Sequence, residues 1–412
     1  MNKIWTFFIA LCPFMAVAQN NNAPSSYDIH DIKITGYLQT QFQKAQSEGI
    51  SSFSGGDFSP NSDSRFMIRR GRLKIDRVDK YSNIVFQLDG TQDGVRLMDA
   101  FIQFHDPSIS SLLFTAGLFN RPFGYSIVYS SGYRDFPERA RVFQTLMPRE
   151  RDLGAMLTFK PKKSLKFLTA EIAMVNGSGL SAKDYDSKKD FIGDINFKFD
   201  SLTNNKKLTL GFGVSIYKGT VRNNTNTYFI DANNGFEAKT NANFVGKNLT
   251  RNYYGANLQL ENNNTFGTTT LKTEYVYGTQ PGVAASASIS GVLASQSFTA
   301  QPTGNLYLRK FSGYYIWLTQ QIAKSKFNAL LAYDVYDPNT KIKGTEIGVT
   351  GSNTTAGDIK FSTLGYGVVY NLSNRIKLTF YNEHVVNENT QITGFTSDLK
   401  DDVFTTRLQY RW

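Results

Sequence analysis

A chain of 412 residues with 45 Lys and Arg against 34 Asp and Glu carries a formal net charge of +11, with 41% hydrophobic and 14% aromatic residues. Its single cysteine, Cys12, excludes a disulfide framework, and three histidines leave little for imidazole chemistry. A mean hydropathy of −0.33 excludes a bundle of membrane-spanning helices. It does not exclude a transmembrane barrel, in which lipid-facing and water-facing residues alternate and average out.

At the amino terminus Lys3 precedes the apolar run Ile4–Val17, which closes on Ala16, Val17 and Ala18. A charged start, a run too short to span a bilayer and an A-x-A site read as a signal peptide over residues 1–18, cleaved after Ala18. Cys12 lies inside that segment, so the mature chain has no cysteine. Residues 19–31 read as a polar periplasmic tail, and residues 32–412 as the folded unit.

From Ile32 onward the spacing predicts sixteen strands, separated alternately by long and short gaps. The long gaps are Lys44–Ser64, Asn120–Glu150, Asn176–Asp190, Lys218–Thr250, Gly278–Asn305, Asp337–Asp358 and His384–Asp401. Only Gln92–Gly94 breaks the rhythm. The short gaps are Val78–Tyr81, Asp106–Ser110, Pro161–Ser164, Ser201–Asn205, Asn262–Phe266, Ala323–Lys324 and Asn371–Asn374. Tight turns at one rim and long loops at the other predict an all-β fold: an up-and-down antiparallel β-barrel in an outer membrane, turns in the periplasm.

Side-chain alternation agrees. Leu208, Leu210, Phe212, Val214 and Ile216 share one face, with Lys207, Thr209 and Ser215 on the other. Leu271, Thr273 and Tyr275 oppose Lys272 and Glu274 in the same way. Arg65–Asp76 changes phase, with Phe66 and Ile68 on one row and Leu73 and Ile75 on the other, which predicts a bulge near Gly71. Arg309–Gln321 is aromatic on both rows; Phe311, Tyr315 and Trp317 are assigned to lipid. The last strand puts Phe404, Thr406, Leu408, Tyr410 and Trp412 on one face and Arg407, Gln409 and Arg411 on the other. A strand ending in an aromatic residue resembles the signal by which barrel-assembly machinery takes up outer-membrane proteins. It must also pair with the first strand, because an open edge in lipid leaves backbone groups unsatisfied.

The basic balance suits an anion-attracting lumen better than nucleic acid, which a secreted barrel rarely meets. If Leu73 and Ile75 face lipid, Arg70, Arg72 and Lys74 line the channel; Asp76, Asp89 or Asp99 across the lumen would neutralise them. The gap Asn120–Glu150 is too apolar to hang in water, so it is expected to fold into the lumen as a constriction. It brings Arg121, Arg134, Arg139, Arg141, Arg149 and Arg151 to the narrowest point. Asp135, Glu138, Glu150 and Asp152 are close enough in sequence to make several of these arginines structural ion pairs. No catalytic constellation, metal-ligand spacing or cofactor motif emerges.

Four segments carry a family resemblance: Arg65–Leu73 (RFMIRRGRL), Ala116–Gly124 (AGLFNRPFG), Phe136–Arg141 (FPERAR) and Pro148–Gly154 (PRERDLG). They are similar to the phosphate-selective porin O/P family. The resemblance implies a sixteen-stranded, trimeric porin with its third loop in the lumen, and by motif position it singles out Arg70, Arg72, Arg121, Arg139 and Arg149. The lysines that phosphate-specific members carry at the channel mouth cannot be matched one by one here, where Lys218–Thr250 and Gly278–Asn305 are rich in Asn, Thr, Ser and Ala. The expected function is passive, anion-preferring diffusion of small hydrophilic solutes across the outer membrane of a Gram-negative bacterium, phosphate-type anions among them. The alternatives are a plugged carrier for hydrophobic molecules and a surface adhesin or receptor barrel.

Overall fold

A computed structural model of the protein describes residues 32–412, apart from residues 107, 181–182, 203–206 and 285–300. The signal peptide and the tail expected over 1–31 lie outside the described residues, as do parts of four of the expected gaps: Asp106–Ser110, Asn176–Asp190, Ser201–Asn205 and Gly278–Asn305.

Nine strands come first: β1 (Ile32–Ala45), β2 (Ser64–Val78), β3 (Ser82–Thr91), β4 (Gly94–His105), β5 (Leu112–Asn120), β6 (Arg151–Phe159), β7 (Leu168–Val175), β8 (Asp190–Phe199) and β9 (Leu208–Arg222). A short hairpin of β10 (Thr227–Ala232) and β11 (Gly235–Thr240) follows. Seven more strands complete the wall: β12 (Asn248–Asn263), β13 (Thr268–Gly282), β14 (Leu306–Gln321), β15 (Phe327–Asp337), β16 (Phe361–Asn371), β17 (Ile376–Asn387) and β18 (Val403–Arg411). Each wall strand pairs antiparallel with the next, β9 pairs directly with β12, and β18 returns to β1 from Tyr37↔Arg411 to Ala45↔Val403. The result is a closed 16-strand antiparallel barrel. No helix among the described residues is long and apolar enough to cross a membrane; the strands do the crossing.

The outward row is apolar where the alternation places it. On β9, Phe212, Val214 and Ile216 are exposed while Ser215 and Tyr217 are buried; on β18, Phe404, Leu408 and Tyr410 are exposed while Thr405, Arg407 and Gln409 are buried. Near the short turns Phe167 stacks on Phe199 at 5.1 Å and Phe197 on Phe212 at 5.0 Å, the two pairs 6.2–6.4 Å apart, in the manner of an interfacial aromatic girdle. The phase change in β2 is resolved by a bulge two residues before the expected Gly71. Gln39 pairs with Arg70 and Thr40 with Ile68, so Arg69 is the extra residue. Phe66, Ile68, Leu73 and Ile75 are then all exposed on the lipid side.

Two expectations are corrected. Phe311, Tyr315 and Trp317 do not face lipid; they are buried and point inward, while Ile316 is exposed outside. The gap Lys218–Thr250 is also shorter than expected. β9 and β12 stay paired out to Arg222↔Asn248, and the loop between them holds the β10–β11 hairpin, turning at Asn233 and Asn234. The positive φ at this turn falls on Gly235 (φ 144), a backbone that glycine alone adopts readily.

The inward aromatics are explained by residues 121–150. This third loop contains two short helices, α1 (Gly124–Val128) and α2 (Arg141–Leu146). Phe123, Ile127, Val142, Phe143 and Leu146 are completely buried against the inner wall. Phe136 stacks on Trp317 at 5.0 Å, Phe143 meets Tyr315 edge-on at 5.9 Å, and Phe123 meets Tyr217 and Tyr253 at 6.4 and 6.2 Å. α1 is docked by its backbone: Ser126 N–H donates to Glu274 at 2.9 Å, and Gly124 N–H donates to Ser215 Oγ at 2.8 Å. Gly124 has φ +62, and a Cβ there would strike the Glu274 carboxylate, so only glycine fits.

Val214→Arg puts a cation on the lipid face and is expected to cost about 2–4 kcal/mol near the bilayer midplane. Thr209→Arg, on the inward row of the same strand, should be tolerated. Heat-modifiable mobility on cold gels reads the difference: the folded band should be depleted for Val214→Arg and retained for Thr209→Arg.

Candidate permeation pathway

Below the third loop, on the side of the short turns, lies a cavity of about 1460 Å³. Above it, between α2 and the first long loop (46–63), is a much smaller cavity of about 20 Å³. Arg139 lines both. Its side chain therefore stands between the two.

Alternation and loop docking together position the charges here. The buried carboxylate of Glu138, on the third loop, receives Arg69 at 2.8 Å, Arg70 at 2.6 Å and Arg407 at 2.8 Å, with Arg134 at 4.0 Å. Arg70 and Arg407 stand on β2 and β18, the strands flanking β1, so one carboxylate ties the loop to both sides of the closure. Burial alone would raise the Glu138 carboxyl, but the surrounding guanidinium groups outweigh it and hold it well below the usual carboxylate range. Beside it, Arg139 pairs with Glu150 and donates to the carbonyls of Ser126 at 2.6 Å and Tyr129 at 3.0 Å. Glu150 also holds Arg151 at 2.8 Å. Burial pushes Glu150 up, and Arg139, Arg151 and Arg72 more than reverse it, to about 2.

The nine cations expected at the constriction therefore divide. Arg72, Lys74, Arg139 and Arg151 line the large cavity. Each has an acidic partner: Asp89 for Arg72 at 3.0 Å, Asp76 for Lys74 at 2.7 Å, and Asp99 for Arg151 at 2.9 Å. Arg70 is buried on Glu138, and Arg121 is buried on Asp152 at 2.8 Å. Arg134 is buried among the carbonyls of Phe136 and Pro137. Arg141 lines the small outer cavity. Arg149 is exposed at a left-handed backbone position, φ 60, and lines neither cavity.

The residues not singled out in the sequence are the more available ones. Lys33, Lys160, Lys166, Lys272 and Arg411 line the large cavity, and among the described residues none has a carboxylate within 4.0 Å. Alternation had put Lys272 and Arg411 on the polar row, but nothing in the sequence distinguished them from cations with partners. In all, ten basic and seven acidic side chains line this cavity.

A closed barrel with a polar, cation-rich lumen and a loop folded across it is the architecture of an outer-membrane porin. Residues 52–412 match the family model for phosphate-selective porin O and P, and the chain belongs to that family. Family and fold thus describe a channel of the Gram-negative outer membrane. No curated protein sequence matches the chain. Among solved structures it is similar to the outer-membrane channel DcaP of Acinetobacter baumannii (10% identity, 92% of this chain and 97% of that one, TM-score 0.54). It is also similar to an anion-selective porin from Comamonas acidovorans (11% identity, 92% and 99%, TM-score 0.55) and to OprB of Pseudomonas putida (9% identity, 92% and 94%, TM-score 0.56). At such identities the likeness speaks for the fold alone.

Glu138→Gln leaves three buried guanidinium groups without their anion, a loss of about 3–5 kcal/mol for a buried network. Trypsin should then cut the native protein within residues 134–141, where the unsubstituted loop resists. The Glu138 value in the folded state lies below its unfolded value near 4.5, so its stabilisation is complete above that pH and is lost only as pH falls through the folded value. Protease resistance of the loop should accordingly persist well below pH 4.5. Sensitivity appearing already at pH 5–6 would contradict the assignment.

Proposed function

We propose that this porin passes small hydrophilic solutes with a preference for anions. The observation that carries the reading is the surplus of cations on the large cavity, and above all the five that have no carboxylate within 4.0 Å among the described residues: Lys33, Lys160, Lys166, Lys272 and Arg411. Fixed charges of one sign in a low-dielectric walled space raise the local concentration of the opposite ion. Arg72, Lys74, Arg139 and Arg151 add positive potential but are each matched, so they shape the path more than they charge it. Phosphate-type anions are included by the family's description, and an anion-selective solved relative has the same fold.

The physiological assembly follows the same reading. Residues 1–18 direct secretion and are removed after Ala18, residues 19–31 stay in the periplasm, and the strand ending at Trp412 is presented to the barrel-assembly machinery. A homotrimer is proposed from the family's architecture, with lipid around the outward apolar row.

In a planar bilayer under a KCl gradient the zero-current potential should have the sign of an anion-preferring pore. The triple substitution Lys160→Gln, Lys166→Gln, Lys272→Gln should reduce that potential by more at 0.01 M than at 1 M salt, because the screening length falls from about 30 to about 3 Å. Cation preference in the unsubstituted protein would refute the reading.

A further inference from the structure

The third loop turns an aromatic face toward the large cavity that conduction of simple ions does not explain. Tyr125, Tyr129 and Tyr133 recur at every fourth position, and all three line that cavity together with Val128. Tyr133 is 62% exposed and Val128 40%, whereas Phe123, Ile127, Val142 and Phe143 of the same loop are completely buried. Cations meet the tyrosine row at both ends. Lys272 lies 4.0 Å from the ring centroid of Tyr129 and 5.4 Å from that of Tyr125, and these two rings stack at 4.9 Å. The guanidinium of Arg411, on β18, lies 4.4 Å from the centroid of Tyr133. Neither cation has a carboxylate within 4.0 Å among the described residues.

The Tyr133 end is the more open of the two, and it is held rigidly. Tyr37 and Ser131 share a hydrogen bond between their hydroxyls at 2.6 Å. Gln39 donates to the Ser131 carbonyl at 3.1 Å, and Gln409 to the Gly132 carbonyl at 2.9 Å. Tyr129 closes the set by donating its hydroxyl to the Tyr133 carbonyl at 3.0 Å. β1 and β18 thus pin the backbone just before Tyr133 and leave its ring in the water of the cavity. Arg411 is steadied by donating to the Asn374 carbonyl at 3.1 Å. A guanidinium carries five N–H donors, so most of its hydrogen-bonding capacity stays available. Lys33 adds a second cation to this wall, four residues before Tyr37, which is the register partner of Arg411.

A small hydrated anion gains from the charge of Arg411 but nothing from an exposed ring. A solute that carries both a flat ring and an anionic group gains from each: ring against ring, and carboxylate or phosphate on the guanidinium fork. Space does not limit access, since about 1460 Å³ exceeds the roughly 300–1,000 Å³ of pockets that enclose drug-sized ligands. We infer that Tyr133 and Arg411 form a transit site for ring-bearing organic anions of the aryl phosphate and aryl carboxylate class. The inference rests on the porin reading and deepens it. The surplus of cations sets the sign of small-ion preference, while this platform retains those anions that bring a ring with them.

The test is block of chloride conductance in planar bilayers by phenyl phosphate and by methyl phosphate, which carries the same anionic group without the ring. Phenyl phosphate should reach half-block at a concentration about fivefold lower or more, the size of effect of a single aromatic pair. Tyr133→Ala should bring the ratio of the two half-blocking concentrations to near one, and Tyr133→Phe should preserve it. Arg411→Gln should weaken block by both phosphates. Chloride conductance recorded on each variant shows that it has folded. Equal block by the two phosphates in the unsubstituted, chloride-conducting protein overturns this inference alone, and needs no variant to fold. A ratio unchanged in Tyr133→Ala overturns it as well, and absence of chloride conductance overturns the porin reading with it.

Discussion

Every backbone amide and carbonyl that faces hydrocarbon must find its partner in a neighbouring strand, since lipid offers none. That constraint forces β18 back onto β1 and makes the wall a single continuous ladder. Closure in turn creates an interior that nothing in the wall fills. The interior is where sequence, packing and function meet, because it has to be occupied by water, by side chains or by a segment of the chain itself.

The third loop supplies the last of these. Its apolar residues would be as badly placed in water as the outward row would be, and they recruit an inner wall that is aromatic rather than polar along β9, β12 and β14. The polar side of the loop is fixed by charge instead, through Glu138 and the guanidinium groups gathered from β2 and β18. One face is held by dispersion and apolar burial and the other by an ionic cluster that bridges the barrel's seam. A loop clamped on both faces can present Arg139 at a fixed position between two cavities of very different size.

Much of this was legible before any coordinates. The period of two along each strand survives because lipid tolerates no charge on its row, and the rhythm of long and short gaps survives because one rim turns tightly. Reading failed where the lumen is not water. Phe311, Tyr315 and Trp317 look lipid-facing only if the opposite side is assumed to be aqueous, and here it is covered by Phe136 and Phe143. The β10–β11 hairpin was hidden because its own alternation lies inside a polar loop. The bulge expected near Gly71 is there, with Arg69 as the extra residue. Charges were placed on the correct face, yet which of them are neutralised depends on partners far apart in sequence: Arg72 with Asp89, Arg151 with Asp99, Arg70 with Glu138. The unpartnered lysines could be told from the partnered arginines only in three dimensions.

The most direct test of a closed, water-filled barrel with these faces uses two neighbours on β12: Leu258, exposed on the lipid side, and Gln259, which lines the large cavity. Cys12 is the only native cysteine and lies in the proposed signal peptide, so single-cysteine variants are simple to read. During single-channel recording, a charged, membrane-impermeant thiol reagent should step the conductance down in Gln259→Cys and leave Leu258→Cys unaffected. Steps in Leu258→Cys with none in Gln259→Cys would contradict the account, as would the lack of any channel to record.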